Sequence, residues 1–144
     1  MTKYHFVFDT TAKNKKIRKI FLHRYKSFSP ESCNCIIVLG GDGFMLKVLK
    51  KYQKYNKPFY GINRGTFGFL MNKFKSTDIE KKVLRSKAVV ISPLQMNATT
   101  KKNKRTSVIA INEISLLRQS RQTASLQILK NNKIINRKLI SDGV

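Results

Sequence analysis

The spacing of apolar residues changes several times along this chain, and each change predicts an element. Residues 3 to 9, KYHFVFD, alternate as a half-buried strand does. From Thr10 to Phe28 the apolar positions Ile17, Ile20, Phe21, Tyr25 and Phe28 recur at helical spacing, which predicts an amphipathic helix with a basic outer face. SPESCN breaks it, and CIIVLG (35–40) follows as a short β-branched run bounded by glycine, the pattern of a parallel strand buried on both faces. Met45, Val48, Leu49 and Tyr52 return to helical spacing up to NKP. PFYGIN (58–63) then reads as a third strand and FGFLMN (67–72) as a further extended segment. Thr77 and Glu80 are spaced as a capping box for a helix from Asp78 to about Ser86.

Beyond residue 87 the pattern is β-rich. AVVISPLQMNATT, TSVIAINEISLLR, ASLQILK and KIINRKLI are separated by polar turns, and KNNK (130–133) centres two asparagines suited to a tight hairpin. The order is α/β: an N-terminal parallel-sheet α/β domain (1–87), followed by the first strands of an incomplete antiparallel β domain (88–144). Four strands make a thin sheet whose apolar face needs a cover, so an isolated chain is expected to expose a sheet edge and to be aggregation-prone.

Composition narrows the class. The 144 residues are 41% hydrophobic and 26% charged, a globular balance. No apolar run reaches membrane-spanning length, and MTKYHFVFDTT lacks the long apolar stretch of a secretory signal, which leaves the cytoplasm as the expected compartment. Cys33 and Cys35 are too close for an easy mutual disulfide and have no zinc-site partners. They read as reduced side chains; His5 and His23 read as ordinary strand and helix residues, and no side chain is assigned as a metal ligand. The formal charge of +23 admits a nucleic-acid binder or a basic surface around a site for small anions. The cations are scattered (13–19, 47–57, 101–105, 130–138) with no aromatic-interleaved RNA motif or zinc finger, which favours the second.

Candidate chemistry gathers at three places. In LGGDGF the strand delivers Asp42 to the carboxyl end of a parallel sheet, where α/β folds bind ligands. Glycines 40, 41 and 43 permit positive φ and leave room for a ligand, and the next helix turns its positive end to the same space. Asp42 could there hold Mg²⁺ on a nucleotide or take a proton from an attacking hydroxyl; a plain tight turn uses the same residues. Neither a Walker motif nor G-x-G-x-x-G is present. YGINRGTFGFL places Gly61, Gly65 and Gly68 after the third strand, at the same sheet edge. In IAINEISLLR, Asn112 and Glu113 interrupt a strand pattern; both could serve one ligand only if the strand bulges or ends there.

In series, GGDG (40–43), GINRGTFGFL (61–70), NEISLLR (112–118) and SDGV (141–144) closely resemble the NAD kinase family, across nearly the whole chain. Lipid kinases with a similar turn usually continue with a small hydroxylic residue, where this chain has Phe44. The resemblance implies phosphorylation of the adenosine 2′-hydroxyl of NAD by ATP or polyphosphate to give NADP, with Mg²⁺ as the divalent metal and a homo-oligomeric assembly. It implies Asp42 as the general base, Gly43 and Lys47 in the NAD site, Asn112 and Glu113 on adenine and ribose, and Asp142 as a further dinucleotide contact. The family's pattern continues beyond DGV with a segment rich in Thr, Ser, Gly and Tyr, so this chain is expected to be an N-terminal portion. A catalytically inactive fragment and a basic nucleic-acid-binding protein are the alternative readings.

Overall fold

The computed structural model describes residues 2–10, 12–63, 68–74 and 78–144. They form two units, Met1–Ser92 and Pro93–Val144. The first is an α/β unit with a parallel sheet and the second consists of antiparallel strand pairs, the fold class expected from the sequence.

In the first unit β1 (Tyr4–Phe8), β2 (Cys35–Leu39), β3 (Phe59–Asn63) and β4 (Asn72–Lys73) lie side by side in that order, all parallel. All five residues of β2 are buried, as a strand covered on both faces requires. Its side chains alternate between two cores. Cys35, Ile37 and Leu39 join Tyr4, Phe6, Ile62 and Ile79 under α1 (Ala12–Arg24), which contributes Ile17 and Phe21. Ile36 and Val38 face the other way and meet Met45 and Val48 of α2 (Asp42–Tyr52). The first core is aromatic: the Phe21 ring meets Phe6 edge-on at 5.8 Å and Phe8 at 6.5 Å. Such pairs add about 0.5–1.5 kcal/mol beyond area burial.

The helix expected over 10–28 is shorter in the structure, ending at Arg24, and Ile20 on it is 52% exposed. Tyr25 and Phe28 leave the helix because the backbone beyond it pairs with the open outer edge of β1. Ser27 forms a parallel bridge with Tyr4, the Phe28 amide donates to the Tyr4 carbonyl (2.8 Å), and Ser27 Oγ accepts from the Phe6 amide (3.2 Å). This bridge explains why α1 and α2 cover opposite faces. The chain leaves β1 through α1 toward the outer edge and leaves β2 through α2 toward β3. Opposite directions over opposite faces give both crossovers the same hand. Between β1 and β2 the connections therefore diverge, which is the switch point where open parallel sheets bind ligands.

The extended segment expected over 67–72 is two residues of strand, Asn72–Lys73; Phe67 lies outside the described residues. The helix expected over 78–86 is α3 (Ile79–Leu84), and Thr77 of the capping box also lies outside the described residues. No described helix is long and apolar enough to cross a membrane.

In the second unit β5 (Leu94–Thr99) pairs with β6 (Arg105–Ala110), and β7 (Ala124–Lys130) with β8 (Lys133–Ser141). The β-rich run that begins at Ala88 becomes strand only after Pro93. Asn131 and Asn132 take φ of 50° and 62° between the paired Lys130 and Lys133, a two-residue hairpin of the kind that needs positive φ at both positions. No residue from Pro93 to Val144 is buried, and Ile135 and Ile140 are more than half exposed.

Two outcomes test the core. A Cβ at Gly61 would lie 2.5 Å from Met71 Sδ, 2.7 Å from Met45 Cε and 2.9 Å from the Leu70 carbonyl oxygen. Gly61→Ala should therefore lower stability by about 1–3 kcal/mol in a urea titration. Burial pushes the Cys35 thiol up to about 12. Below pH 9 the thiol is neutral folded or unfolded. As pH rises from 9 toward 12 the unfolded chain ionises first, and this site should cost up to about 1.4 kcal/mol of stability per pH unit. Urea midpoints of the parent chain and Cys35→Ala across that range measure the difference.

Candidate active site at the carboxyl end of the parallel sheet

Beyond Leu39 the chain runs through Gly40 into Gly41, whose extended backbone (φ −103°, ψ 178°) caps α2. The Gly41 carbonyl accepts from the amides of Phe44 (3.1 Å) and Met45 (3.0 Å), which leaves Asp42 and Gly43 as the opening residues of the helix. At that end an α-helix presents backbone N–H groups and positive potential to an anion. Met45 and Val48 lock the helix onto β2, so Asp42 is held at the sheet's carboxyl end by packing on the residues just beyond it.

Asp42 is half-buried and both its oxygens are engaged. Oδ2 accepts the Phe69 amide at 2.8 Å and Oδ1 the Leu70 amide at 3.2 Å. The first two glycine motifs are thus joined through this carboxylate, as their common sheet edge suggested. The glycines act differently from the expectation of positive φ: no described glycine has one. Close approach and open space explain them instead. A Cβ at Gly40 would stand 2.6 Å from Phe44 Cδ1, whereas one at Gly41 or Gly43 would meet no atom of the described residues within 4 Å. Gly65 lies outside the described residues.

Lys47 is exposed one turn further along α2, below Gly43. Asn112, Glu113 and Asp142 belong to the second unit and are exposed. The strand does end where the Asn-Glu pair needs it to, because β6 stops at Ala110 and residues 111–112 bend. The third and fourth motifs are joined to each other. Leu116 and Val144 exchange both backbone hydrogen bonds (2.7 and 3.0 Å), and the Arg118 amide donates to the Asp142 carbonyl (2.9 Å). The Arg118 guanidinium donates to the Asp142 carboxylate and to the Ser120 carbonyl. Asp142 is therefore a paired acid.

Sequence reasoning missed three features. The Phe69 and Leu70 amides carry no side-chain signature; the Gly-Phe-Leu run is their only trace. The Arg118–Asp142 pair joins residues 24 apart, visible in sequence only as opposite charges in a chain of few acids. Across the switch point, the Asp9 amide donates to the Leu39 carbonyl (2.9 Å), and Phe8, Asp9, Thr10, Lys15 and Arg18 line a shallow cavity. Among the described residues no group of three His, Cys, Asp or Glu could hold a metal.

Comparison with known proteins adds relatives to this geometry. Residues 2–86 match the ATP-NAD kinase N-terminal domain family. The NAD kinase of Brucella suis is 39% identical over 140 residues, covering 97% of this chain and 54% of that protein. Those of Zymomonas mobilis and Caulobacter vibrioides are 38% and 37% identical, with 93% and 99% of this chain and 53% and 55% of theirs aligned. The chain spans about half the length of these curated relatives.

The join between the third and fourth motifs is testable. A Cβ at Gly143 would overlap the Leu116 carbonyl oxygen and stand 3.2 Å from Leu117 Cα. Gly143→Ala should separate the two segments at a cost of about 1–3 kcal/mol, read as lost exchange protection of the Leu116 and Val144 amides.

Proposed function

The chain belongs to the NAD kinase family, and from that premise we propose that it carries the catalytic carboxylate of an enzyme that phosphorylates the adenosine 2′-hydroxyl of NAD, with ATP or polyphosphate as donor. One observation carries the reading: Asp42 stands at the carboxyl end of β2 with its carboxylate fixed by two backbone amides, beside open space at Gly41 and Gly43.

Phosphoryl transfer asks a protein mainly to position its reactants and neutralise charge. In this reading the ribose lies against Gly41 and Gly43, where no side chain of the described residues blocks it. Each Asp42 oxygen takes one N–H and retains acceptor capacity. The 2′-hydroxyl donates to one of them, and its proton passes to that oxygen as the hydroxyl attacks the terminal phosphate of the donor, whose bond to the bridging oxygen breaks to release ADP or the shortened polyphosphate. The Gly43 amide and the positive end of α2 favour the phosphates, and Lys47 one turn on adds a cation. Asn112 and Glu113 take the adenine and ribose, and Asp142 a further part of the dinucleotide.

Mg²⁺ would supply charge neutralisation on the phosphates. It commonly needs only one or two carboxylates beside phosphate oxygens and water. The same reading includes a cytoplasmic, homo-oligomeric enzyme.

Asp42→Asn tests the mechanism. NAD binding, followed by calorimetry, should stay within a few-fold, while NADP formation from NAD, ATP and Mg²⁺ should fall about 10²- to 10⁴-fold. Unchanged turnover would remove Asp42 from the reaction.

A further inference from the structure

The Asp42 carboxylate is gripped by a backbone segment 26 to 28 residues further along the chain, and one glycine makes the grip possible. A Cβ at Gly68 would overlap Asp42 Oδ1 and stand 2.8 Å from Cγ and 2.9 Å from Oδ2. Gly68 does not have positive φ, so left-handed backbone is not the reason for glycine here. The missing side chain is what lets the segment lie against the acid.

The segment is anchored on its far side. Leu70 and Met71 pack on the core beneath α2, and Asn72 Nδ2 donates to the Gly61 carbonyl at 3.1 Å. The Phe69 side chain is fully exposed and fixes nothing, so what this residue offers the site is its amide. One end of the segment is tied to the sheet, and the other presents two successive N–H groups to the two oxygens of Asp42. A short acid at the start of a helix has two side-chain torsions free to turn. Two charge-assisted bonds, one to each oxygen, fix both.

Building on the proposed role of Asp42, we propose that the Gly68–Leu70 backbone is a positioning clamp that sets the carboxylate for proton transfer, with Gly68 its positioning residue. The substitution Gly68→Ala puts a methyl group where the carboxylate lies. The obstructing atoms are the end of a side chain rather than backbone, so Asp42 turns away and the fold persists. A misplacement of about 1 Å at a reacting group can cost about 10²-fold in rate.

Two measurements on the ¹⁵N-labelled chain decide it: amide exchange and NADP formation. In Gly68→Ala the Phe69 and Leu70 amides should exchange at least about tenfold faster. The Phe74 amide, bonded to the Asn63 carbonyl at 2.9 Å, should keep its rate and report an intact fold. Asp42→Ala removes the acceptor with no steric insertion and should release the same two amides. The Gly68→Ala kcat should drop about 10²-fold with KM for NAD within about threefold, a split that general loosening would not give. Retained protection in Gly68→Ala overturns the clamp; released amides with unchanged kcat overturn its role in positioning. If the parent chain forms no NADP, the proposed activity of this chain falls, while the two amides still uphold or refute the grip.

Discussion

Ile36, Ile37 and Val38 have no solvent exposure, and they alternate between two different cores. A one-residue slip of β2 would exchange every one of these side chains between the aromatic core under α1 and the methionine-containing core under α2. The strand is therefore fixed in register from both faces. The chain beyond Leu39 emerges at a defined point, and its next three residues are Gly40, Gly41 and Asp42. The position of the candidate acid is a consequence of packing several residues before it.

The second constraint is on the side of the ligand. Among the described residues, space at Gly41 and Gly43 is open, while space at Gly40, Gly61 and Gly68 is filled by Phe44, by Met45 and Met71, and by Asp42 itself. These glycines thus divide into two kinds: some keep room free, and some admit a neighbour that a side chain would displace. Positive φ, the common reason for glycine in a turn, is taken by asparagine among the described residues. Asn56, Asn103, Asn131 and Asn132 are the non-glycine residues with positive φ among those described, and each stands in a connection outside the helices and strands. Asparagine tolerates that conformation because its short polar side chain can hydrogen-bond locally.

The two units differ in how they are stabilised. The first contains every buried apolar residue among those described, from Tyr4 to Ile79. The second is held by backbone pairing in two hairpins and by the close join of Leu116–Arg118 to Asp142–Val144. None of its apolar residues is buried, and Ile134, Ile135 and Ile140 are exposed. In the proposed reading Asp42, Gly43 and Lys47 belong to the unit with the buried core, and Asn112, Glu113 and Asp142 to the unit without buried side chains.

Apolar spacing and the identity of the turn residues determined the order of elements, the two-sided burial of β2, the asparagine hairpin and the arrival of Asp42 at a strand end. These depend on neighbours a few residues apart, and local periodicity records them. The early end of α1 was decided in three dimensions, because the open edge of β1 competes for the backbone around Ser27. So were the grip of Phe69 and Leu70 on Asp42 and the pairing of Arg118 with Asp142. Each joins groups more than twenty residues apart, and two of the three depend on backbone amides, which every residue but proline carries and no residue type reveals.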